Sequence, residues 1–78
     1  MRIILTNHAR MRAQERWITI QEIFSIIESP DIIEEQSENI ICFKKKWNKY
    51  LTLVYAKDSE WNWVIITVLK TSKIRKYI

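Results

Sequence analysis

The chain has 78 residues, 47% hydrophobic and 28% charged, with a formal charge of +4, no glycine, one proline, one cysteine and one histidine. That length suits one domain over residues 1–78, which buries only about 60% of the surface its unfolded chain exposes and leaves few apolar side chains for a deep pocket. The lack of glycine excludes phosphate loops, dinucleotide fingerprints, nucleophile elbows and glycine-dependent RNA modules, while a lone Cys42 and a lone His8 exclude an intrachain disulfide and a Cys/His zinc cage.

Thr6 is placed to cap a first helix over about Asn7–Arg16, with Leu5, Ala9 and Ala13 at four-residue spacing on its inward side. Alternatively, Leu5 ends a short initial strand, Arg2–Leu5. The second helix has a sharper start. Thr19 stands three residues before Glu22 as a capping box, and Ile18 and Ile23 occupy the two positions of a hydrophobic staple. Ile20, Ile23, Phe24 and Ile27 form its expected inward stripe, and Pro30 makes Ser29 its expected end.

After Pro30 the apolar period becomes two, which predicts strands over Ile32–Gln36, Ile40–Lys46, Tyr50–Lys57 and Trp61–Lys70. With no glycine to turn the chain, Asn39, Asn48 and either Asp58 or Asn62 are the residues best able to take left-handed turn conformations. The expected fold is therefore α+β, two N-terminal helices packed on one face of a four-stranded antiparallel meander sheet. In the last strand Trp61, Trp63, Ile65 and Leu69 fall on one side and Val64, Ile66 and Val68 on the other. A strand apolar on both faces needs two covers; the helices supply one, and a ligand, a partner chain or a second copy of this chain is a candidate for the other. No apolar run approaches the ~18 residues of a membrane span, and the start lacks a signal-peptide core, so a soluble, cytoplasmic protein is expected.

Charge is segregated along the chain. Residues 1–16 carry a net +3, residues 17–39 carry −6, and residues 40–78 carry +7. If the two basic ends meet, they form a footprint for a polyanion; a solvated mixed surface fits the charges equally well. His8, Arg12 and Arg16, at i, i+4 and i+8 of the first helix, form the best candidate for chemistry. Arg12 favours the neutral imidazole that a general base needs, and two guanidiniums can hold phosphate oxygens; a surface histidine in the first helical turn fits the same spacing. The C-terminal run Lys70-Thr71-Ser72-Lys73 and Tyr77 offers phosphate ligands and a proton donor, or else a basic, frayed terminus. Lys44-Lys45-Lys46 with Trp47 and Lys49 reads as a charged edge that discourages aggregation, with base stacking as its alternative. Trp61, Trp63 and Cys42 read as core, and Glu34, Glu35 and Glu38 as solvated surface. No cofactor and no metal are expected, although a carboxylate-bound magnesium remains compatible with the composition.

His8-Ala9, Arg12, Arg16, Ile18-Thr19, Pro30-Asp31, Tyr50-Leu51 to Tyr55, and Val64-Ile65-Ile66-Thr67-Val68 leading to Thr71-Ser72-Lys73-Ile74-Arg75-Lys76-Tyr77 resemble the family called domain of unknown function 4258. That family is similar to RelE-like toxins of the barnase, EndoU, colicin and RelE group, in which N-terminal helices pack on a four-stranded antiparallel sheet and RNA is often cleaved without metal. Trp17 departs from the pattern, which usually has a small residue, commonly glycine, after the second arginine. Glycine there would end the helix in a left-handed conformation, so Trp17 is expected to alter that bend or narrow the site.

The resemblance and the residues together predict a small metal-independent endoribonuclease, the toxin of a toxin–antitoxin pair, acting by attack of a ribose 2′-hydroxyl on phosphorus. His8, Arg12, Lys73 and Tyr77 are the candidate catalytic residues, and Arg16, Lys70, Thr71 and Ser72 the candidate substrate-binding ones. A single histidine rules out a two-histidine acid/base pair, so a Lys, a Tyr, a carboxylate or water must supply the second proton transfer. The expected partners are RNA, including mRNA on the ribosome, a cognate antitoxin and a second copy of the chain, with no membrane. The alternative is a non-catalytic RNA-binding or protein-interaction module.

Overall fold

The structure is a computed structural model that describes residues 2–78. Its elements run β1 (Arg2–Leu5), α1 (Asn7–Glu15), α2 (Ile20–Glu28), β2 (Ile32–Ser37), β3 (Ile40–Trp47), β4 (Tyr50–Ser59), β5 (Asn62–Thr71) and α3 (Ile74–Tyr77). The strands form one sheet in the order β1-β5-β4-β3-β2, antiparallel throughout except that β1 lies parallel to β5. This corrects the expected four-stranded antiparallel meander under two N-terminal helices: the sheet has five strands, is mixed, and carries a third helix. The physical reason is that β1 is four residues long and its partner lies some sixty residues away, so no local period announces the pairing.

The helices form where the capping residues require. Thr6 Oγ1 accepts from the Ala9 amide at 3.1 Å, and Thr19 Oγ1 accepts from the Glu22 amide at 3.1 Å, each satisfying one orphan donor of a first turn. α1 buries Ala9 and Ala13 against β5, and α2 buries Ile23 and Ile26. With Ile18, Phe43, Val54, Ala56, Ile65 and Val68 they make the main core, into which Leu5, Ile27 and Trp63 pack partially. The expected stripe of α2 is thus rotated. Ile20 and Phe24 are exposed, and Ile18, buried ahead of the cap, completes the face with Ile23, Ile26 and Ile27.

β5 does not alternate as its sequence suggests. Tyr55 pairs with Thr67 and Ala56 with Ile65, which leaves Ile66 as the extra residue of a β-bulge. One inserted residue reverses the side of everything beyond it, so Ile65 and Val68 share the α1–α2 face while Leu69 turns to the opposite one. The Thr6 hydroxyl fastens this point, donating to the Ile65 carbonyl at 2.9 Å while it caps α1. On the far face Cys42, Leu51 and Leu53 are covered by Ile74 and Tyr77 of α3, with Tyr55 and Leu69 beside them. The second cover is therefore a segment of the chain itself.

The turns use left-handed residues as the lack of glycine demands. Asn39 and Asn48 take φ of 66° and 53°, as expected, but the β4–β5 turn uses Glu60 and Trp61 at 39° and 68° rather than Asp58 or Asn62. Trp61 is 84% exposed at that turn, not core, whereas Trp63 meets Phe43 edge-to-face at 5.2 Å. Among the described residues no helix is long and apolar enough to cross a membrane.

Candidate functional site

α1 ends in a Schellman motif: the Trp17 amide donates to the Gln14 carbonyl at 3.3 Å and the Ile18 amide to the Ala13 carbonyl at 2.9 Å. Trp17 occupies the left-handed position, φ 57°, where glycine is the usual occupant, so the bend survives without the glycine and the indole is thrown outward, 87% exposed. A bulky residue in this conformation costs on the order of 1 kcal/mol.

That turn stands over one end of the sheet. Trp47 pairs with Tyr50, Lys45 with Thr52, and Thr52 with Lys70, so all five side chains project to the α1–α2 face. Arg16 and Trp17 from the helix end and Tyr50 and Lys70 from the sheet line an open cleft of about 360 Å³. A second hollow of about 260 Å³, lined by Glu22, Trp47 and Lys70, adjoins it through Lys70. The Lys70 ammonium lies 5.5 Å from the Tyr50 ring centroid and the Lys45 ammonium 5.2 Å from that of Trp47. Two buried polar atoms lack a hydrogen-bond partner among the described residues, Arg16 Nη1 and Thr52 Oγ1, and both belong to this corner of the molecule. Buried polar groups are ordinarily satisfied, so these two are exceptions, and both atoms lie beneath the surface rather than facing solvent.

The other candidates are distributed by the fold. His8 is exposed near the start of α1, and Arg12, on the same side one turn on, pairs with Glu15 at 3.0 Å. His8 and Arg16 are eight residues apart, about 12 Å along the axis, so the row His8, Arg12, Arg16 leads toward the cleft. Lys73 and Tyr77 lie elsewhere. Thr71 precedes the turn into α3 and its hydroxyl accepts from the Lys73 amide at 3.0 Å; Ser72 and Lys73 are exposed, and Tyr77 packs on the Cys42–Leu51–Leu53 face. The sheet thus separates His8 and Arg12 from Tyr77, Lys73 is exposed at the N-cap of α3, and Arg16 and Lys70 converge. Trp17, Tyr50 and Thr52 complete the corner and were not singled out as binding residues from the sequence. The one signal for them was the tryptophan in place of the usual glycine.

The basic run on β3 is also resolved into separate roles. β3 is an interior strand, so Lys44-Lys45-Lys46 does not guard an edge. Lys44 is buried and donates to Glu34 Oε2 at 2.8 Å and to the Tyr77 carbonyl at 2.6 Å; Lys45 donates to the Ser29 carbonyl at 2.8 Å. Glu34 is therefore a partner of Lys44 and not merely solvated surface, and the hydrogen bond from Lys44, with another from Gln36, holds its carboxyl below the ordinary value. Cys42 is fully buried, as expected, and burial pushes its thiol up. Among the described residues no three His, Cys, Asp or Glu side chains come together as a metal site.

A family model described as Domain of unknown function (DUF4258) matches residues 5–70. The chain belongs to that family. The match covers α1 with its arginine row and runs to Lys70, so all four residues lining the larger cleft lie within the DUF4258 region, whereas Thr71, Ser72, Lys73 and Tyr77 lie beyond it. No curated protein and no solved structure matches this DUF4258 chain.

Proposed function

We propose that this domain binds single-stranded RNA on its α1–α2 face, at the Arg16–Lys70 cleft and along the arginine row that leads to it. The observation that carries the reading is the convergence of Arg16 and Lys70, from different elements, in an open cleft walled by Trp17 and Tyr50. Two cations suit adjacent phosphate oxygens, and exposed aromatic rings suit unpaired bases, which every nucleotide of a single strand offers.

His8 favours a second reading, metal-independent cleavage, because it stands on the same helix row as Arg12 and Arg16. In that reaction the 2′-oxygen bonds to phosphorus as its proton passes to the imidazole, the bond from phosphorus to the 5′-oxygen breaks, and a proton from the imidazolium or water goes to the leaving oxygen. The products are a 2′,3′-cyclic phosphate and a 5′-hydroxyl, with Arg12, Arg16 and Lys70 offsetting charge on the phosphorane. Tyr77, packed on the opposite face of the sheet, takes no part. A toxin role in the cytoplasm, opposed by an antitoxin, is the finer version suggested by the resemblance to RelE-like toxins.

Incubation of end-labelled single-stranded RNA in EDTA with the wild type and His8→Ala separates the readings. Cyclic-phosphate ends from the wild type alone support cleavage at His8. Salt-sensitive binding without cleavage, repeated on translating ribosomes, supports the binding domain, and absence of both binding and cleavage contradicts the proposal.

A further inference from the structure

The corner formed by Arg16, Trp17, Tyr50, Thr52 and Lys70 holds more than a phosphate site requires. Phosphate alone would need the two cations. It would not need a tryptophan held in a left-handed conformation where glycine would be unstrained, with an indole that contributes almost nothing to the core at 87% exposure. Trp61 shares this conformation and exposure at the β4–β5 turn, so what singles Trp17 out is that it borders the cleft beside Arg16 and Lys70. We propose that Trp17 is a base platform, and that the cleft is a one-nucleotide subsite in which Arg16 and Lys70 hold the phosphate while the nucleobase stacks on the Trp17 indole.

The open cleft, about 360 Å³, has room for one nucleotide. Arg16 is only partly buried and lines the cleft, so its guanidinium charge is available to a phosphate there although Nη1 itself lies beneath the surface. Thr52, fully buried on the same face between Lys45 and Lys70, carries the other partnerless polar atom, and the register places it one step inward from Tyr50 at the base of this corner. Tyr50, with Lys70 against its ring, forms the wall opposite the helix end. A paired base has both faces covered by its neighbours and cannot reach the indole, so the subsite selects unpaired nucleotides.

This rests on the RNA-binding reading, and the choice of variant keeps the two separable. Trp17→Gly preserves the left-handed turn and removes only the ring and the strain, so the fold is expected to gain stability, with a melting temperature a few degrees higher. Affinity is measured by fluorescence anisotropy for an oligouridylate and for an abasic oligomer of equal length, against wild type, Trp17→Gly and Lys70→Ala. The expected result is that Trp17→Gly weakens oligouridylate binding roughly 5- to 150-fold, the span of one stacked base, and leaves the abasic oligomer unchanged. Lys70→Ala should weaken both. Equal affinity of Trp17→Gly and wild type for oligouridylate overturns the platform, and if Lys70→Ala still weakens binding in that case the RNA-binding reading stands without it. Loss of both oligomers alike with Trp17→Gly also overturns it, since the ring would then act through the turn and not through the base.

Discussion

At the scale of single residues, Lys44 is the most buried charge among the described residues. The residue is 4% exposed and its ammonium has two acceptors, the Glu34 carboxylate and the Tyr77 carbonyl, so it joins the edge strand β2 to the C-terminal helix across the far face of the sheet. The two members of the ion pair are not equivalent. Glu34 is half exposed and can rehydrate if Lys44 is lost, but Lys44 cannot reach water if Glu34 is lost. Glu34→Gln should therefore lower the denaturation midpoint more than Lys44→Met does, as urea unfolding at neutral pH would show; the reverse order contradicts this assignment. The carboxyl is held below its ordinary value of 4.5, so its contribution to stability is present above that pH and is lost as pH falls through the lower, folded-state value. The stability of Glu34→Gln should accordingly depend less on pH in this acid range than that of the wild type. Tyr55 works in the other direction. Burial first, then the neighbouring Cys42, pushes its phenol up to about 12, so the folded chain retains a proton that the unfolded chain releases near 10. Stability should decline as pH rises between those values, and Tyr55→Phe should remove part of that decline.

At the scale of elements, Thr6 shows how one hydroxyl connects local and distant structure. It caps α1 and grips the carbonyl beside the Ile66 bulge, so it sets both the start of the helix and its position over β5. Thr6→Val keeps the shape and removes both bonds, and should cost about 1–2 kcal/mol by thermal or urea unfolding, about 1 kcal/mol of it the cap. A loss within error of zero would mean that the bulge, and not Thr6, fixes α1. Much at this scale was legible from the sequence because its causes are local. Thr6 and Thr19 announced their helices, Pro30 the end of α2, and Asn39 and Asn48 their turns. Features with distant causes were hidden. The parallel β1–β5 pairing joins opposite ends of the chain, the bulge inserts one residue into an otherwise regular run, and Ile74 and Tyr77 read as a basic tail until the far face they cover is known. The site divides in the same way. The arginine row on α1 follows from helical spacing, but the meeting of Arg16 with Lys70 and Tyr50 depends on where α1 crosses the sheet, which no spacing encodes.

At the scale of the whole molecule, the first two charge blocks lie toward opposite sides of the sheet, while the third crosses it, with Lys44-Lys45-Lys46 of β3 beside β2 and Lys70 near Glu22 of α2. β1, α1 and β5 occupy one side and carry the arginine row and Lys70, while the acidic segment forms α2 and the opposite edge strand β2. RNA approaching the α1 side meets cations, and the β2 edge repels it, which orients binding before any contact is made. Binding by this face releases counterions from the strand, so affinity must fall as salt rises, and each phosphate-binding cation removed must flatten that dependence. The most direct test is the affinity of a short single-stranded RNA for the wild type and for Lys70→Ala over a series of salt concentrations. The cleft predicts a steep salt dependence for the wild type, weaker binding by the variant at every concentration, and a log–log slope smaller by about 0.7 for the single charge removed. Equal affinities and parallel slopes for the two proteins would contradict a role for the Arg16–Lys70 cleft in holding phosphate.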